Sequence, residues 1–360
     1  CYKKMNGISV SGKNWISKSY SEDKINFLKN NFNLSEILSK LISVRNVKLE
    51  EVKLFLEPKI KNLLPNPFVL KDMEKSVERT IKAINKNEKI GIFGDYDVDG
   101  ATSTAILGNY FNGINQKIEI YIPDRKTEGY GPSKLGFEKL ISNGSNLIFT
   151  VDCGTLSFDI IEFSQKKNID VLVLDHHQSE LKLPKAFSVV NPNRFDDDSN
   201  LNYLCAAGVC FMFLVALNKK LREIEWFKKN NIVEPNLINY LDLVSLGTVC
   251  DVVPLIGLNR AIVSQGLEVM KKKSNLGLKT LKNICGVENN LTTYHLGYIL
   301  GPRINAGGRV GKCSHGANLL LDRNVKNAFK LASELESYNK QRKILEKDLL
   351  EKILSNIINK

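Results

Sequence analysis

The stretch that decides the fold covers residues 89–105, KIGIFGDYDVDGATSTA. It begins with a short apolar run, residues 90–93, which is typical of a strand buried on both faces of a sheet. Three carboxylates, Asp95, Asp97 and Asp99, follow at alternate positions. Carboxylates this close repel one another and retain their protons unless a cation neutralises them. The stretch therefore suggests a divalent metal held by hard oxygen ligands.

Other interpretations of this stretch can be tested against its spacing. It opens like a calcium loop, D-x-D-x-D-G, but the twelfth position is Ile106 where such a loop has a bidentate Glu, and the preceding run predicts a strand instead of a helix. A Walker A phosphate loop is excluded because no Gly-Lys-Ser/Thr follows. A solvated acidic turn without a metal remains open from this stretch alone.

The whole chain has the composition of a globular protein, and its 360 residues suffice for two domains. Its longest apolar run, residues 204–217, is too short to span a bilayer and predicts a buried helix, so we expect no membrane association. Residues 1–15 lack the apolar region of a signal peptide. Seven cysteines without a C-x-x-C pair predict reduced thiols in the cytoplasm. The first residue, Cys1, and a helical pattern at the last residue indicate a fragment at both ends.

The net charge of +12 suits a polyanionic partner such as a nucleic acid. Lysine is spread along the whole chain, however, so compositional bias explains the charge about equally well.

Helical spacing of apolar residues precedes the first strand. It covers residues 25–45 and 49–56 and, after LLPNPF, residues 72–85. We expect a helical lead-in over residues 1–86.

The next part of the chain alternates between two patterns. Strands are predicted at residues 90–93, 118–122, 147–151, 171–174 and 187–190. Helices are predicted between them at residues 101–111, 133–141 and 158–167. Strands that alternate with helices form a parallel sheet flanked by helices, so the fold class is α/β.

Polar residues follow three of these strands. The first group is the carboxylates after residue 94, the second begins at Asp152, and the third is Asp175, His176 and His177. Open parallel sheets bind ligands at the carboxyl ends of their strands, so we expect the three groups to converge on one cleft. Taken alone, Asp152 fits a helix N-cap equally well.

Two loops carry candidate substrate-binding residues. Arg125 and Tyr130 lie in PDRKTEGYGPS, residues 123–133, where a guanidinium and a ring could hold a phosphate and a base, although an ordinary surface turn fits this loop better. Residues 301–316, GPRINAGGRVGKCSHG, predict a Gly-rich loop that carries Arg303, Asn305 and Arg309, or a plain connector.

The second half of the chain is mostly helical, with helices predicted at residues 204–219 and 237–246 and a long closing helix from residue 325. Between them, Asp251 lies among valines in GTVCDVVP. A carboxylate in an apolar setting needs a partner, and a metal in the same cleft would supply one.

Together these pieces resemble the DHH phosphoesterase family, in particular its RecJ-type single-strand-specific exonucleases. The resemblance rests on GDYDVDG (94–100), VDCG (151–154), LDHH (174–177) and GTVCDVVPL (247–255). EGYG (128–131) and GPRINAGGR (301–309) resemble the RecJ type specifically. The resemblance covers residues 89–321.

The resemblance implies roles for individual residues. Two ions, Mn²⁺ or Mg²⁺, would be bound, with Asp152 bridging them and His177 facing the scissile phosphate. The implied metal ligands are Asp95, Asp97, Asp99, Asp152, His176 and Asp251, of which Asp95 lies where relatives supply a histidine. The implied catalytic residues are Asp97, Asp99, Asp152, His176, His177 and Asp251. The implied substrate-binding residues are Arg125, Tyr130, His177, Arg303, Asn305 and Arg309.

The resemblance implies a catalytic α/β domain over residues 87–255, a helical segment over 256–322 and a connecting helix over 323–360. RecJ members continue into a DHHA1-type domain and an OB-fold, neither of which is found before residue 360. The implied activity is 5′ to 3′ hydrolysis of single-stranded DNA to mononucleotides in repair and recombination, by a monomer that works with a helicase and a single-strand-binding protein. A small-substrate phosphodiesterase or pyrophosphatase and a non-catalytic nucleic-acid-binding relative are the alternatives.

Overall fold

The computed structural model describes residues 2–272, 274–287 and 291–358. Within it the chain forms two compact units, Cys1–Leu63 and Leu64–Lys360. The division at residues 86, 255 and 322 stays a prediction.

The first unit combines a hairpin with short helices. Its strands are β1 (Tyr2–Ile8) and β2 (Asn14–Lys18), which pair antiparallel. Its helices are α1 (Glu22–Phe32), α2 (Glu36–Val44), α3 (Val52–Leu56) and α4 (Ile60–Leu63). Leu28, Ile42 and Val52 form its buried core.

Two features of this unit differ from the sequence expectation. Residues 25–45 form two helices instead of one, because Asn33 ends α1 in the left-handed region (φ 51°) and Ser35 caps α2 by accepting a hydrogen bond from Leu38 N. The hairpin is not predicted at all. Its strands lack the apolar alternation that marks a strand, and only the turn at Gly12 (φ 71°) signals it.

The second unit is built on a five-stranded parallel sheet in the order β4-β3-β5-β6-β7. Its strands are β3 (Lys89–Gly94), β4 (Ile118–Tyr121), β5 (Ser145–Val151), β6 (Asp170–Leu174) and β7 (Ser188–Val190). All five lie within two residues of the predicted bounds, and the predicted α/β class is confirmed.

Helices cover both faces of this sheet. Those that precede or connect the strands are α5 (Met73–Asn85), α6 (Val98–Gly113), α7 (Lys134–Ser142) and α8 (Phe158–Lys166). Alternate residues of β5 face opposite sides: Ile148 packs with Phe137 of α7, and Phe149 contacts Phe111 of α6. This double burial explains why the strands are apolar almost throughout.

The rest of the unit is helical. Its helices are α9 (Ala206–Glu223), α10 (Trp226–Lys229), α11 (Leu241–Cys250), α12 (Gly257–Lys272), α13 (Leu276–Ile284), α14 (Gly301–Val310), α15 (His315–Leu321) and α16 (Val325–Ile358). A π-helical turn, His295–Leu300, directly precedes α14. The buried helix expected from the apolar run is α9.

The expectation of a Gly-rich loop over residues 301–316 is wrong, because its first ten residues form α14. Pro302 is the second residue of α14, directly after the π-helical turn. Glycines are tolerated farther along because the helix is in close contact there: a Cβ added at Gly308 would lie 3.0 Å from the ring of Tyr96.

Candidate metal centre

The sheet aligns the ends of three strands in one row. Gly94 of β3 pairs with Val151 of β5, which pairs with Leu174 of β6. The residue that follows each of them is an aspartate, and these are Asp95, Asp152 and Asp175. The chain runs from β3 to β4 on one side and then to β5 on the other, so β3 and β5 flank the point where the strand order reverses. Ligands bind at that point in open parallel sheets.

Two further carboxylates are fixed at helix N-termini. Asp97 is the N-cap of α6, and its Oδ1 accepts a hydrogen bond from Gly100 N at 3.0 Å. Asp99 is buried, and its two oxygens accept hydrogen bonds from Ala206 N (2.6 Å) and Ala207 N (3.0 Å) at the start of α9. A helix N-terminus favours a negative charge, so α9 holds this carboxylate in one orientation.

Asp251 reaches the same place from the opposite side. It follows the last residue of α11 as its C-cap. Of the valines around it, Val252 is 86% exposed and has a left-handed backbone (φ 61°), whereas Val249 and Val253 are partly buried. The carboxylate is partly buried, with 24% of its side chain exposed.

His176 lies at the centre of these acids. Its Nε2 is 3.3 Å from Asp152 Oδ1, 3.6 Å from Asp251 Oδ2 and 3.8 Å from Asp99 Oδ2. Three sets of side chains could each present ligand atoms within 4.8 Å of one another, and these are Asp99 with His176 and Asp251, Asp95 with Asp97 and Asp152, and Asp152 with His176 and His177. The structure therefore brings together all six predicted ligands and His177.

The electrostatics of the cluster fit a bound cation. Burial and then the charge of Asp97 raise the pKa of Asp95 to about 7. Burial and then Asp99 raise the pKa of Asp251 to about 7, and burial and neighbouring carboxylates raise the pKa of Asp152 well above its usual range. Asp95 Oδ1 is also buried without a hydrogen-bond partner. Carboxylate oxygens and an imidazole that are crowded in this way could hold a divalent cation.

His177 is oriented by Asp175, which is buried beneath it. Asp175 Oδ1 is 2.8 Å from His177 Nδ1 and accepts from His176 N at 2.7 Å, while Oδ2 accepts from Thr155 N at 3.0 Å. Burial alone would raise the pKa of Asp175, but these hydrogen bonds and the charge of His177 hold it well below its usual range. The hydrogen bond to Asp175 raises the pKa of His177 to about 9.

A second support comes from the residues after β7. Asn191 is fully buried and donates to Thr155 Oγ1 (2.8 Å) and to His177 O (2.9 Å). Asn193 donates to His176 O. Sequence reasoning missed both residues, although Asn191 directly follows a strand end as the aspartates do.

The 123–133 loop lies over the same site. Tyr130 donates from its hydroxyl to Asp152 O at 3.1 Å, and the hydroxyl is also 3.1 Å from His177 Nε2. Burial raises the pKa of Tyr130, so the phenol stays neutral. The Arg125 guanidinium lies 5.4 Å from the ring of Tyr96, an aromatic residue between two of the candidate ligands that sequence reasoning also missed.

The other three predicted substrate residues lie on α14. Arg303 is engaged elsewhere, because it forms an ion pair with Glu336 of α16 and donates to Ile299 O. Asn305 Oδ1 is buried without a hydrogen-bond partner, and Arg309 is exposed.

Comparison with known proteins agrees with this geometry. Residues 89–248 match the model of the DHH family, N-terminal domain. A solved structure of exonuclease RecJ bound to manganese is 31% identical with a TM-score of 0.71, and the match covers 82% of this chain and 71% of that one.

This chain belongs to the RecJ family of DHH proteins. The single-stranded-DNA-specific exonuclease RecJ of Escherichia coli is 37% identical to it over 319 residues, 88% of this chain and 55% of that protein. A structure of RecJ with Mn²⁺ from Thermus thermophilus has a TM-score of 0.76 at 28% identity and covers 93% of this chain and 46% of that one. The chain spans about half the length of the curated RecJ relatives it matches. Among the described helices, none has the length and apolar character needed to cross a membrane.

Proposed function

We propose that this chain is a metal-dependent exonuclease that hydrolyses single-stranded DNA from its 5′ end and releases mononucleotides. The observation that carries the proposal is the cluster around His176, in which six candidate ligands from four separate segments meet at the carboxyl edge of the sheet. RecJ relatives carry the name of single-stranded-DNA-specific exonuclease, and RecJ structures have been solved with Mn²⁺ and with Mg²⁺.

Asp152 belongs to two of the three candidate ligand sets, so the cluster could hold two ions that share it. When bound, two ions would supply an activated water and neutralise charge on the phosphodiester. Side chains and helix ends of the chain would orient the ligands and the substrate. The α9 N-terminus holds Asp99, and Asp175 fixes the His177 ring, whose Nε2 lies 3.1 Å from the Tyr130 hydroxyl. We assign these two groups to the phosphate that is cleaved, and Arg125 and the exposed Arg309 to neighbouring phosphates.

The wider setting is part of the same proposal. We place the enzyme in the cytoplasm as a monomer that acts in DNA repair and recombination on strands opened by a helicase or covered by single-strand-binding protein.

The test is digestion of single-stranded DNA labelled at its 5′ or 3′ end, with and without Mn²⁺. We expect Mn²⁺-dependent release of the 5′ label as a mononucleotide. Cleavage of dinucleotides alone would support a small-substrate phosphodiesterase instead.

Asp152→Asn is the sharpest variant for this test. Asp152 has a left-handed backbone (φ 60°), which Asn adopts readily, whereas Ala there costs about 1–2 kcal/mol. We expect Asp152→Asn to unfold like the wild type and to lose both Mn²⁺ binding and turnover, while Asp159→Asn, an exposed carboxylate on α8, changes neither. Retained turnover in Asp152→Asn would contradict the two-ion assignment.

A further inference from the structure

A continuous helical segment runs along one side of the candidate metal centre. The π-helical turn His295–Leu300 passes into α14 without a break, because Leu300 keeps helical backbone angles (φ −77°, ψ −49°). Leu296, Leu300 and Ile304 are buried and fix its inner face.

The outer face of this segment is aromatic and basic. Tyr294 is 61% exposed and Tyr298 is 73% exposed, and their rings stack with centroids 5.2 Å apart at an interplanar angle of 25°. Tyr298 lies in the π-helical turn and Tyr294 directly precedes it, and π-turns occur frequently at functional sites. Pro302 lies four residues after Tyr298, and the exposed Arg309 lies seven residues, about two helical turns, after Pro302. These residues therefore lie on the same face of the helix.

Both ends of the segment touch elements that carry the metal centre. Cys250 Sγ donates to Leu296 O at 3.4 Å, and the next residue after Cys250 is the candidate ligand Asp251. At the other end, Gly308 lies against the ring of Tyr96. The aromatic pair and Arg309 are therefore held in fixed positions beside the site, about 16 Å apart along the helix.

We infer that Tyr294 and Tyr298 form a stacking platform for the bases of a single strand whose backbone runs past Arg309 to the metal centre. The inference rests on the proposed function and extends it to substrate selection. Every base has a π-face, so such a platform accepts any sequence. In a duplex those faces are already stacked on their neighbours, so the platform selects single strands.

The stacked pair supplies the recognition that the metal centre lacks. The ions and their ligands act on a phosphodiester, a group common to single and double strands. The large ring area left exposed, together with a net charge of +12, matches the usual combination of aromatic platform and positive charge in proteins that bind single strands.

The test uses Tyr298→Ala, Tyr298→Phe and Tyr294→Ala in the full chain, with Phe329→Ala, an exposed aromatic residue on α16, as the control. Each variant is assayed with Mn²⁺ on a long single strand and on a dinucleotide. We expect both tyrosine-to-alanine variants to raise KM for the long strand about tenfold with little change in kcat or in dinucleotide hydrolysis. Tyr298→Phe and Phe329→Ala should match the wild type.

Binding without cleavage separates this inference from the proposed function. Anisotropy of a labelled strand in EDTA, compared with the same strand carrying abasic sites, reports stacking directly. We expect the abasic strand to bind the wild type more weakly, and Tyr298→Ala to lose that difference. Equal binding of the two strands, or wild-type KM in both alanine variants, would overturn the platform. A wild type that binds strands with this preference but does not cleave them would refute the proposed function alone.

Discussion

Replacing Gly247 by Ala tests whether the packing of two helices sets the geometry of the metal centre. Gly247 lies in α11, one turn before Asp251. A Cβ added there would lie 2.6 Å from Asp99 Oδ1, 2.6 Å from Thr102 Oγ1 and 2.8 Å from Ala207 Cβ. Asp99 cannot move away without losing its hydrogen bonds to the N-terminus of α9, so either that carboxylate or the whole of α11 must shift. Both changes separate Asp99 from Asp251.

The change in the free energy of unfolding in Gly247→Ala is the sum of a gain in helix propensity and a loss from overpacking. Ala is favoured over Gly in a helix by about 1 kcal/mol, whereas forcing a methyl group into a packed interior costs about 1–3 kcal/mol. We therefore expect a loss of up to about 2 kcal/mol in the free energy of unfolding. Misplaced support of a metal ligand costs about 10- to 100-fold in affinity, so Mn²⁺ binding should fall by that factor.

The assay is Mn²⁺ titration followed by electron paramagnetic resonance of the free ion, with urea unfolding in parallel. Gly113→Ala is the matched control, because it is also a helical glycine and the nearest atom to its added Cβ is Pro235 Cγ at 3.8 Å. The control should bind Mn²⁺ like the wild type. If Gly247→Ala also binds Mn²⁺ like the wild type and is as stable as the control, the reasoning is wrong.

Three further predictions concern residues outside the candidate ligand set. Asn191→Ala removes two buried donors, including the one to His177 O, and should lower the free energy of unfolding by about 2–4 kcal/mol; a loss below 1 kcal/mol in urea unfolding would contradict this. Burial raises the pKa of Asp242 to about 6 from 3.8, so the folded protein retains a proton that the unfolded chain releases as the pH rises through this interval. The free energy of unfolding should therefore fall as the pH rises from about 4 to about 6, by up to about 3 kcal/mol more in the wild type than in Asp242→Asn. If the two proteins lose stability in parallel over this interval, the prediction is wrong. Arg303→Met should leave Glu336 with only the largely exposed Lys340, 3.7 Å away, as its ion-pair partner, and it should lower the melting temperature more than it changes KM. A large change in KM with an unchanged melting temperature would instead indicate that Arg303 binds substrate.

The sequence by itself was sufficient to predict the sheet and to name the side chains that the fold brings together as candidate metal ligands. Each strand of the sheet is a short apolar run, and the acids of GDYDVDG and VDCG follow directly where such runs end. Because parallel strands end at one edge, the convergence of Asp95, Asp152 and His176 follows from local pattern alone. The helix α14 was not predictable in this way, since its glycines and its proline are typical of a loop. The close contacts of Gly301 with Cys250, of Gly307 with Lys312 O and of Gly308 with Tyr96 are visible only in the folded chain.

Only the tertiary structure decided the partners of these residues. The pairing of Arg303 with Glu336, the support of His177 by Asn191 and the close approach of Gly247 to Asp99 all join positions far apart in sequence. Local periodicity reports whether a residue is buried, but which atom it meets depends on how helices and strands pack. The identity of the candidate ligands was therefore a property of the sequence, and the geometry that makes them one site is a property of the fold.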